Sequence, residues 1–322
     1  MKMDPVVLDC DVVIAGGSLG GIAAALAALE SGASVILTEE NAWIGGQVTS
    51  QAVSALDEYD QVERLPPTHS YAAFRSAIRQ RYQTMYQAPG CMPDGAPLNP
   101  GNAWVSRLCF EPRVGLSVLA ELLEPFIRQG RLQIFRRHTL VRCAGDPTHL
   151  TGVELASPRR QPVTLHGSYY LDATDLGDLL PLAGVPYVTG AEAREETGEP
   201  HASPDGPHPQ RVQSFTYCFL VEFRPGENHT IRKPSGYARF KQFQPYSLTI
   251  TNHLGQPVEY PFFTATAAHP LPFWAYRRVF DAHLLDPTGK RNDIALINWP
   301  SNDYRWGNLI DQPPRSQAGD FR

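Results

Sequence analysis

The most constraining stretch of the sequence is a glycine cluster near the N-terminus. Residues 11–15 form an apolar, β-branched run that is typical of a buried parallel strand. An alanine-rich segment with helical spacing covers 20–31, and a second apolar run, 34–38, ends at Glu39. Strand, tight turn, helix, strand and acid together predict a mononucleotide-binding βαβ unit. The turn consists of Gly16, Gly17, Ser18, Leu19, Gly20 and Gly21.

The residue types in the turn suit a bound phosphate. Gly16 occupies the position of the tight turn, and Gly21 that of close helix–strand packing. Ser18 stands where a third glycine is usual, but it is small, and its hydroxyl can donate to a phosphate oxygen. The helix that follows presents amide donors and a favourable dipole. A glycine-rich turn without any ligand remains the alternative.

The same turn also matches G-x-S-x-G, the nucleophile elbow of α/β-hydrolases, with Ser18 as the nucleophile. The motif lies on the first strand, so no upstream strand and loop exist to build an oxyanion hole. Glu39 stands about 20 residues after the glycines, where a ribose ligand belongs. A cofactor is therefore favoured, and the hydrolase is kept as the alternative.

Glu39 defines the class of cofactor. A carboxylate at the end of the second strand accepts hydrogen bonds from ribose hydroxyls and repels a 2′-phosphate, so FAD or NAD is favoured over NADP. Glu40 is the neighbouring candidate, and its alternative role is a solvated surface acid.

A family resemblance emerges at Gly45, Gly46 and Gln47. The run from 11 to 58 resembles flavoproteins of the glutathione-reductase-like superfamily, and most of all the family described simply as FAD-dependent oxidoreductase. Further similar blocks are Cys109-Phe110-Glu111-Pro112-Arg113-Val114-Gly115, Asp172-Ala173-Thr174-Asp175-Leu176-Gly177-Asp178-Leu179, Ala183-Gly184-Val185-Pro186-Tyr187 and 297–304.

The resemblance implies the cofactor FAD and roles for particular residues. Gly16, Ser18, Gly20 and Gly21 would hold the pyrophosphate, and Glu39 the adenosine ribose. The remaining implied contacts are Gly45, Gly46 and Gln47 towards the flavin, Leu140 at the adenine, and Ala173 and Thr174 at the adenine–pyrophosphate end. Asp175 departs from the family, which often has glycine there.

The predicted fold class is α/β, with a Rossmann-like FAD-binding domain over 1–180 and a mixed α+β substrate domain over 181–322. Residues 55–108 read as an insertion into the first domain. Short strands at 139–143, 151–155 and 163–165 predict a β-meander, and 169–174 a separate strand of the parallel sheet. A helix is expected over 272–284 and a strand over 260–263.

Composition excludes several functional classes. The net charge is −5 and no Lys/Arg run occurs, so no nucleic-acid partner is expected. The five scattered cysteines include no CxxC pair, so neither a disulfide framework nor a metal site is expected, and Cys109 is interpreted as a small buried hydrophobe. No apolar run has the length of a membrane span, and a cytoplasmic protein with a small-molecule substrate is the simplest expectation.

These observations lead to one preferred function and two alternatives. The preferred one is an FAD-dependent oxidoreductase that transfers hydride or electrons between an organic substrate and flavin. Such flavoproteins carry a Gly-Asp block near the C-terminus that reaches the flavin, and the polar stretch after Tyr304 is not identified with that block. A truncated, non-catalytic flavoprotein fragment is therefore one alternative, and the hydrolase that uses Ser18 is the other. No catalytic residue, substrate, oligomeric state or mode of flavin attachment is predicted.

Overall fold

A computed structural model describes residues 6–304 except 60, 66, 158–159, 253 and 268. In chain order the first half contains β1 (Val6–Ala15), α1 (Leu19–Glu30), β2 (Val35–Glu39), a 3₁₀ turn (Gly46–Val48), α2 (His69–Tyr86), α3 (Pro112–Arg128), β3 (Leu132–Arg136), β4 (Thr139–Asp146), β5 (His149–Ser157) and β6 (Arg160–Asp172). The second half contains α4 (Leu179–Ala183), α5 (Arg194–Thr197), β7 (Phe215–Thr216), β8 (Phe219–Glu222), α6 (Tyr237–Phe243), β9 (Thr249–Thr251), β10 (Pro257–Glu259), a 3₁₀ turn (Phe273–Ala275), β11 (Arg278–Phe280), α7 (Ala282–Leu285), β12 (Ile294–Ile297), a 3₁₀ turn (Pro300–Asn302) and β13 (Asp303–Tyr304).

One six-stranded sheet organises the first half, in the order β3-β2-β1-β6-β5-β4. The pairs β3–β2, β2–β1 and β1–β6 are parallel, and β6–β5 and β5–β4 are antiparallel. The parallel part is covered by α1 and α3, which pack in one core cluster with β1 and β2. The prediction of an α/β fold with a Rossmann-like parallel sheet and a β-meander is confirmed.

The strand β6 corrects the number of strands predicted between residues 163 and 174. The third meander strand and the strand that returns to the parallel sheet are a single strand, which pairs with β1 from Val163 to Asp172. We expected two separate strands, 163–165 and 169–174, but Gly167 between them lies inside β6. A Cβ there would come within 2.9 Å of a methyl carbon of Val13, so the glycine marks a close approach of neighbouring chains rather than a turn.

The predicted insertion, 55–108, is held by a buried polar network. The Arg75 guanidinium, on α2, forms ion pairs with Glu58 and Glu63 and is 3% exposed. Glu58 also accepts hydrogen bonds from the hydroxyls of Tyr71 (2.6 Å) and Ser106 (3.0 Å). Cys109, at the end of the insertion, is fully buried in a small apolar cluster, as predicted for a structural cysteine.

The later part of the chain contains small antiparallel sheets, of which β11-β12-β8 is the largest among the described residues. The helix expected over 272–284 is wrong, because this stretch forms a 3₁₀ turn, β11 and the short α7. Val279 and Phe280 are fully buried in β11, and pairing with β12 determines its conformation. The strand expected over 260–263 is also wrong, since the strand β10 ends at Glu259.

The division into two domains at residue 180 stays a prediction. Phe280 and Leu285 belong to the same core cluster as β1 and α1, and the Arg278 Nε donates to the carbonyl oxygen of Gly101 (2.8 Å).

Within the described residues, no helix is long and apolar enough to cross a membrane. No group of three or more His, Cys, Asp or Glu side chains is arranged to hold a metal ion in the part of the chain that the structure describes.

Candidate cofactor-binding site

The glycine turn between β1 and α1 brings backbone segments into unusually close contact. Gly16 has a φ of +94°, and a Cβ there would lie 2.3 Å from the carbonyl oxygen of Ala173. A Cβ on Gly21 would lie 2.1 Å from the carbonyl oxygen of Gly16. These two positions therefore require glycine for the packing of helix against strand, as the spacing predicted. Gly20 is different, because a Cβ there would meet only the Ser18 hydroxyl oxygen, at 3.7 Å.

Ser18 caps the helix α1. Its Oγ accepts a hydrogen bond from the backbone N–H of Gly21 at 3.1 Å, and its backbone is extended, with φ −62° and ψ 172°. The N–H groups of Leu19 and Gly20 have no intrahelical acceptor, as at any helix start. The Ser18 hydroxyl hydrogen and these amides can thus donate to an anion placed before the helix.

The turn at 45–48 packs directly onto the glycine turn. The Gly45 N–H donates to the carbonyl oxygen of Gly17 (2.6 Å), and a Cβ on Gly46 would lie 3.2 Å from the Cα of Ser18. Both Gly45 (φ +108°) and Gly46 (φ +48°) adopt left-handed backbone conformations. Gln47 is exposed and contributes only its backbone carbonyl, which accepts from Val53 N–H (2.8 Å). The two glycine segments therefore form one surface around Ser18.

Glu39 ends β2 beside this surface and is 6% exposed. Its Oε1 accepts a hydrogen bond from the backbone N–H of Asn41 (2.7 Å), which fixes the side chain. A Cβ on Gly17 would lie 2.9 Å from Glu39 Oε2, so glycine at that position leaves room for the carboxylate. Among the described residues, no donor forms a hydrogen bond to Oε2. One oxygen of a well-positioned carboxylate is therefore left to accept from a ligand.

These elements surround a cavity of about 450 Å³, a volume within the usual range of small-molecule sites. Eight of the predicted residues line it, namely Gly16, Ser18, Glu39, Glu40, Gly46, Leu140, Ala173 and Thr174. The predicted residues that do not line it are Gly17, Leu19, Gly20, Gly21, Gly45 and Gln47. Among these, Gly17, Gly21 and Gly45 pack behind the wall through the contacts described above.

The sequence interpretation missed part of the wall. The missed residues are Thr38, Asn41, Ser50, His138, Thr139, Asp175, Leu176, Asp178, Pro181 and Leu182. His138 is buried, donates its backbone N–H to the carbonyl oxygen of Glu39 (3.1 Å), and directly precedes the predicted adenine contact strand β4. The signal that could have found it is its place between the ends of two neighbouring strands of a parallel sheet, where ligands bind in such folds.

The cavity is strongly acidic on one side. Its wall contains Glu39, Glu40, Asp175 and Asp178, and, among the described residues, no lysine or arginine. Burial, followed by repulsion from Asp178, Glu39 and Asp175, raises the pKa of Glu40. Burial, together with Asp172 and Asp175, likewise raises the pKa of Asp178. Such a wall disfavours any ligand that carries an extra phosphate near the ribose.

The structure does not support the hydrolase alternative. A nucleophile elbow places its serine on a sharp, strained turn, whereas the Ser18 backbone is extended and unstrained. Ser18 forms no hydrogen bond with a histidine anywhere in the described part of the chain, and its oxygen caps α1 instead.

The residues present fit a dinucleotide such as FAD. A capped helix N-terminus, a glycine cradle that side chains would fill, and a carboxylate oxygen without a donor face one cavity. These are the groups that recognise a pyrophosphate and a ribose in doubly wound folds.

Comparison with solved structures gives the following similarities. Mycobacterium smegmatis Sdh1 in complex with UQ1 shares 13% identity over 52% of this chain and 34% of its own, with a TM-score of 0.34. L-proline dehydrogenase from P. horikoshii shares 13% identity over 60% of this chain and 25% of its own, with a TM-score of 0.27. THI4 from Thermovibrio ammonificans shares 15% identity over 57% of this chain and 67% of its own, with a TM-score of 0.34.

The chain thus spans about a third of the length of the first of these structures. No curated protein matches the chain. The family model described as FAD dependent oxidoreductase matches residues 11–319, which is nearly the whole sequence. This chain therefore belongs to the FAD-dependent oxidoreductase family, whose cofactor is FAD.

Proposed function

We propose that the chain forms the FAD-binding part of an oxidoreductase, with the cofactor pyrophosphate at the N-terminus of α1 and the adenosine ribose at Glu39. The cavity at the ends of β1, β2 and β6 supports this placement. In this proposal Leu140 lies at the adenine, and Gly46 and Gln47 lie towards the flavin. Residues 1–180 are the FAD-binding domain and 181–322 the substrate domain, of which 305–322 lie outside the described residues.

The observation that carries the proposal is the position of Glu39. Its carboxylate is buried at the end of β2, held by the Asn41 N–H through Oε1, and left with Oε2 free of donors among the described residues. Oε2 is not among the fully buried side-chain oxygens that lack a partner in the described part of the chain, so it is accessible from the cavity that Glu39 lines. Ribose hydroxyls are suitable donors to such an oxygen.

When bound, FAD supplies hydride or electron transfer, and the protein orients it and tunes its surroundings. Here the α1 N-terminus and the Ser18 hydroxyl neutralise the pyrophosphate charge, and Glu39 fixes the ribose by accepting hydrogen bonds. The substrate is proposed to be a small organic molecule that reaches the flavin from the side of the later domain.

The test measures FAD binding to the purified protein by flavin fluorescence and calorimetry. Glu39→Gln keeps the size of the side chain but loses the charge, and hydrogen bonds to charged groups contribute about 1.5–3 kcal/mol. We expect FAD affinity to fall by about tenfold to hundredfold. Glu30→Gln is the matched control, because Glu30 is exposed at the far end of α1. That variant should bind FAD as the unaltered chain does.

Four outcomes separate the hypotheses. Loss of affinity in Glu39→Gln alone supports the placement of the ribose. Equal affinity of both variants refutes it. FAD binding without turnover of any organic donor would instead match the alternative of a flavoprotein part that does not catalyse, and labelling of Ser18 by a fluorophosphonate would favour the hydrolase.

A further inference from the structure

One hydrogen bond joins the two loops that flank the candidate cavity. The Gln51 side-chain amide Nε2 donates to the Asp175 Oδ2 at 2.8 Å, across 124 residues of sequence. Gln51 follows the 3₁₀ turn at 46–48, and Asp175 follows β6. Neither residue belongs to the contacts that the resemblance implies.

Both loops are fixed at their bases, so this bond connects two ordered supports. The Gln51 backbone N–H donates to the carbonyl oxygen of Gly46 (3.1 Å). On the other side, Asp172 accepts from the Thr174 N–H (2.9 Å) and hydroxyl (2.7 Å), and from the Leu179 N–H (2.9 Å). The side chains of Gln51 and Asp175 can therefore separate without unfolding either loop.

In the proposed placement, the bond lies towards the flavin, because Gln51 lies beside Gly46. Asp175 lines the cavity together with Ser18 and Gly46. Gln51 Nε2 lies 3.8 Å from the position of a Cβ on Gly46, and Gly46 packs on Ser18. In the proposed placement, ADP ends before this bond, whereas a ligand that continues past Gly46 meets it.

The charge of Asp175 adds to this arrangement. Asp175 is one of four acids in the cavity wall, and a carboxylate beside a pyrophosphate repels it. The hydrogen bond from Gln51 holds the Asp175 carboxylate in place in the cavity wall.

We propose that Gln51 and Asp175 form a gate, which opens when a ligand longer than ADP enters the cavity. The gate rests on the proposed function, because it assumes that the cofactor runs from Glu39 past Ser18 to Gly46. It controls the rates at which FAD associates and dissociates, and it leaves the binding of ADP unchanged.

Three variants separate the gate from simple charge repulsion. Gln51→Ala removes the donor, and Asp175→Ala removes the acceptor and its charge. Asp175→Asn removes the charge but keeps an oxygen that can accept from Gln51. Both positions are exposed, so thermal melting is expected to show unchanged folding. Stopped-flow flavin fluorescence gives the association rate of FAD, and calorimetry gives the affinity for ADP.

We expect Gln51→Ala and Asp175→Ala to raise the association rate constant of FAD by about threefold to tenfold, the factor that one hydrogen bond supplies. Asp175→Asn should stay within about twofold of the unaltered chain in its FAD association rate. ADP affinity should not change in Gln51→Ala, which keeps the charges of the cavity wall, whereas both Asp175 variants remove a carboxylate beside the pyrophosphate and should bind ADP more tightly. Equal FAD rates in Gln51→Ala and the unaltered chain, with ADP still bound, would overturn the gate alone. Equal acceleration by Asp175→Asn and Asp175→Ala would also overturn it in favour of charge repulsion. Failure of the unaltered chain to bind either ADP or FAD would overturn both the gate and the proposed function.

Discussion

The substitution Gly21→Ala tests whether the glycine turn is built for close packing. A Cβ on Gly21 would lie 2.1 Å from the Gly16 carbonyl oxygen and 3.2 Å from the Ala173 Cβ. The first distance is nearly an ångström shorter than real Cβ atoms tolerate, and the atom it meets is backbone. The first turn of α1 must therefore move away from the ends of β1 and β6.

The free energy of this change combines two opposing effects. Alanine is more favourable than glycine inside a helix by about 1 kcal/mol. Forcing extra volume into a closely packed site costs typically 1–3 kcal/mol and occasionally more, and here the rigid backbone places the cost at or above the upper end. We expect the free energy of unfolding to fall by about 2 kcal/mol. The displacement also moves Ser18 and the helix N-terminus, so FAD affinity should fall with it.

Gly20→Ala is the matched control, one residue earlier on the same helix turn. A Cβ there meets nothing closer than 3.7 Å, so the substitution should be neutral or should stabilise by about 0.4–1 kcal/mol. Thermal melting without added cofactor should then separate the two variants by about 3–5 °C. FAD titrations of both variants complete the comparison.

Equal melting temperatures of Gly20→Ala and Gly21→Ala would refute the packing argument. Destabilisation of Gly21→Ala with unchanged FAD affinity would agree with the packing argument but would show that the helix start does not position the cofactor. A fall of both quantities in Gly21→Ala alone would support the reasoning.

Two further predictions concern charges. The raised pKa of Glu40 means that the folded state binds this proton more tightly than the unfolded state, so its carboxyl lowers stability as the pH rises from about 4.5 through the raised value. Glu40→Gln should therefore raise the urea unfolding midpoint at pH 7, by an amount equivalent to less than about 1 kcal/mol, and should not change it at pH 3.5. A lower midpoint for the variant at pH 7 would contradict this prediction. Arg75→Ala leaves Glu58 buried without its cation and should lower the free energy of unfolding by about 3–5 kcal/mol. Arg128→Ala, which breaks an exposed pair with Glu124, should lower it by about 0.5 kcal/mol or less. Equal losses in urea unfolding would show that burial does not govern the Arg75 pair.

The sequence predicted the parts of the molecule that local patterns determine. The strand, glycine turn, helix and acid between residues 6 and 39 follow from spacing and residue type, because each is set by neighbours in the chain. The secondary structure of residues 272–284 was harder to predict, because their aromatic and apolar side chains suit a helix as well as a strand. Its conformation depends on pairing with β12, and no local pattern carries that information.

The cavity wall also contains both residues that a local motif predicts and residues that only the tertiary fold brings to the site. Gly16, Ser18 and Glu39 were found because a motif of known spacing contains them. His138 and Asp178 come from the ends of other strands, which only the order of the sheet brings beside Glu39. Residues of this kind can be predicted once the sheet order is known, because the carboxyl ends of all parallel strands lie at the same edge of the sheet.

The departure at Asp175 illustrates why a motif alone can mislead. Taken from sequence, an acid in place of the family's usual glycine weakens the expected contact with the cofactor. In the structure, Asp172 holds the Thr174 backbone and hydroxyl, so the loop keeps its shape without that glycine. The Asp175 carboxylate, in turn, is bound by Gln51, 124 residues earlier in the chain. The acid and the amide therefore form a pair that no single-position comparison detects.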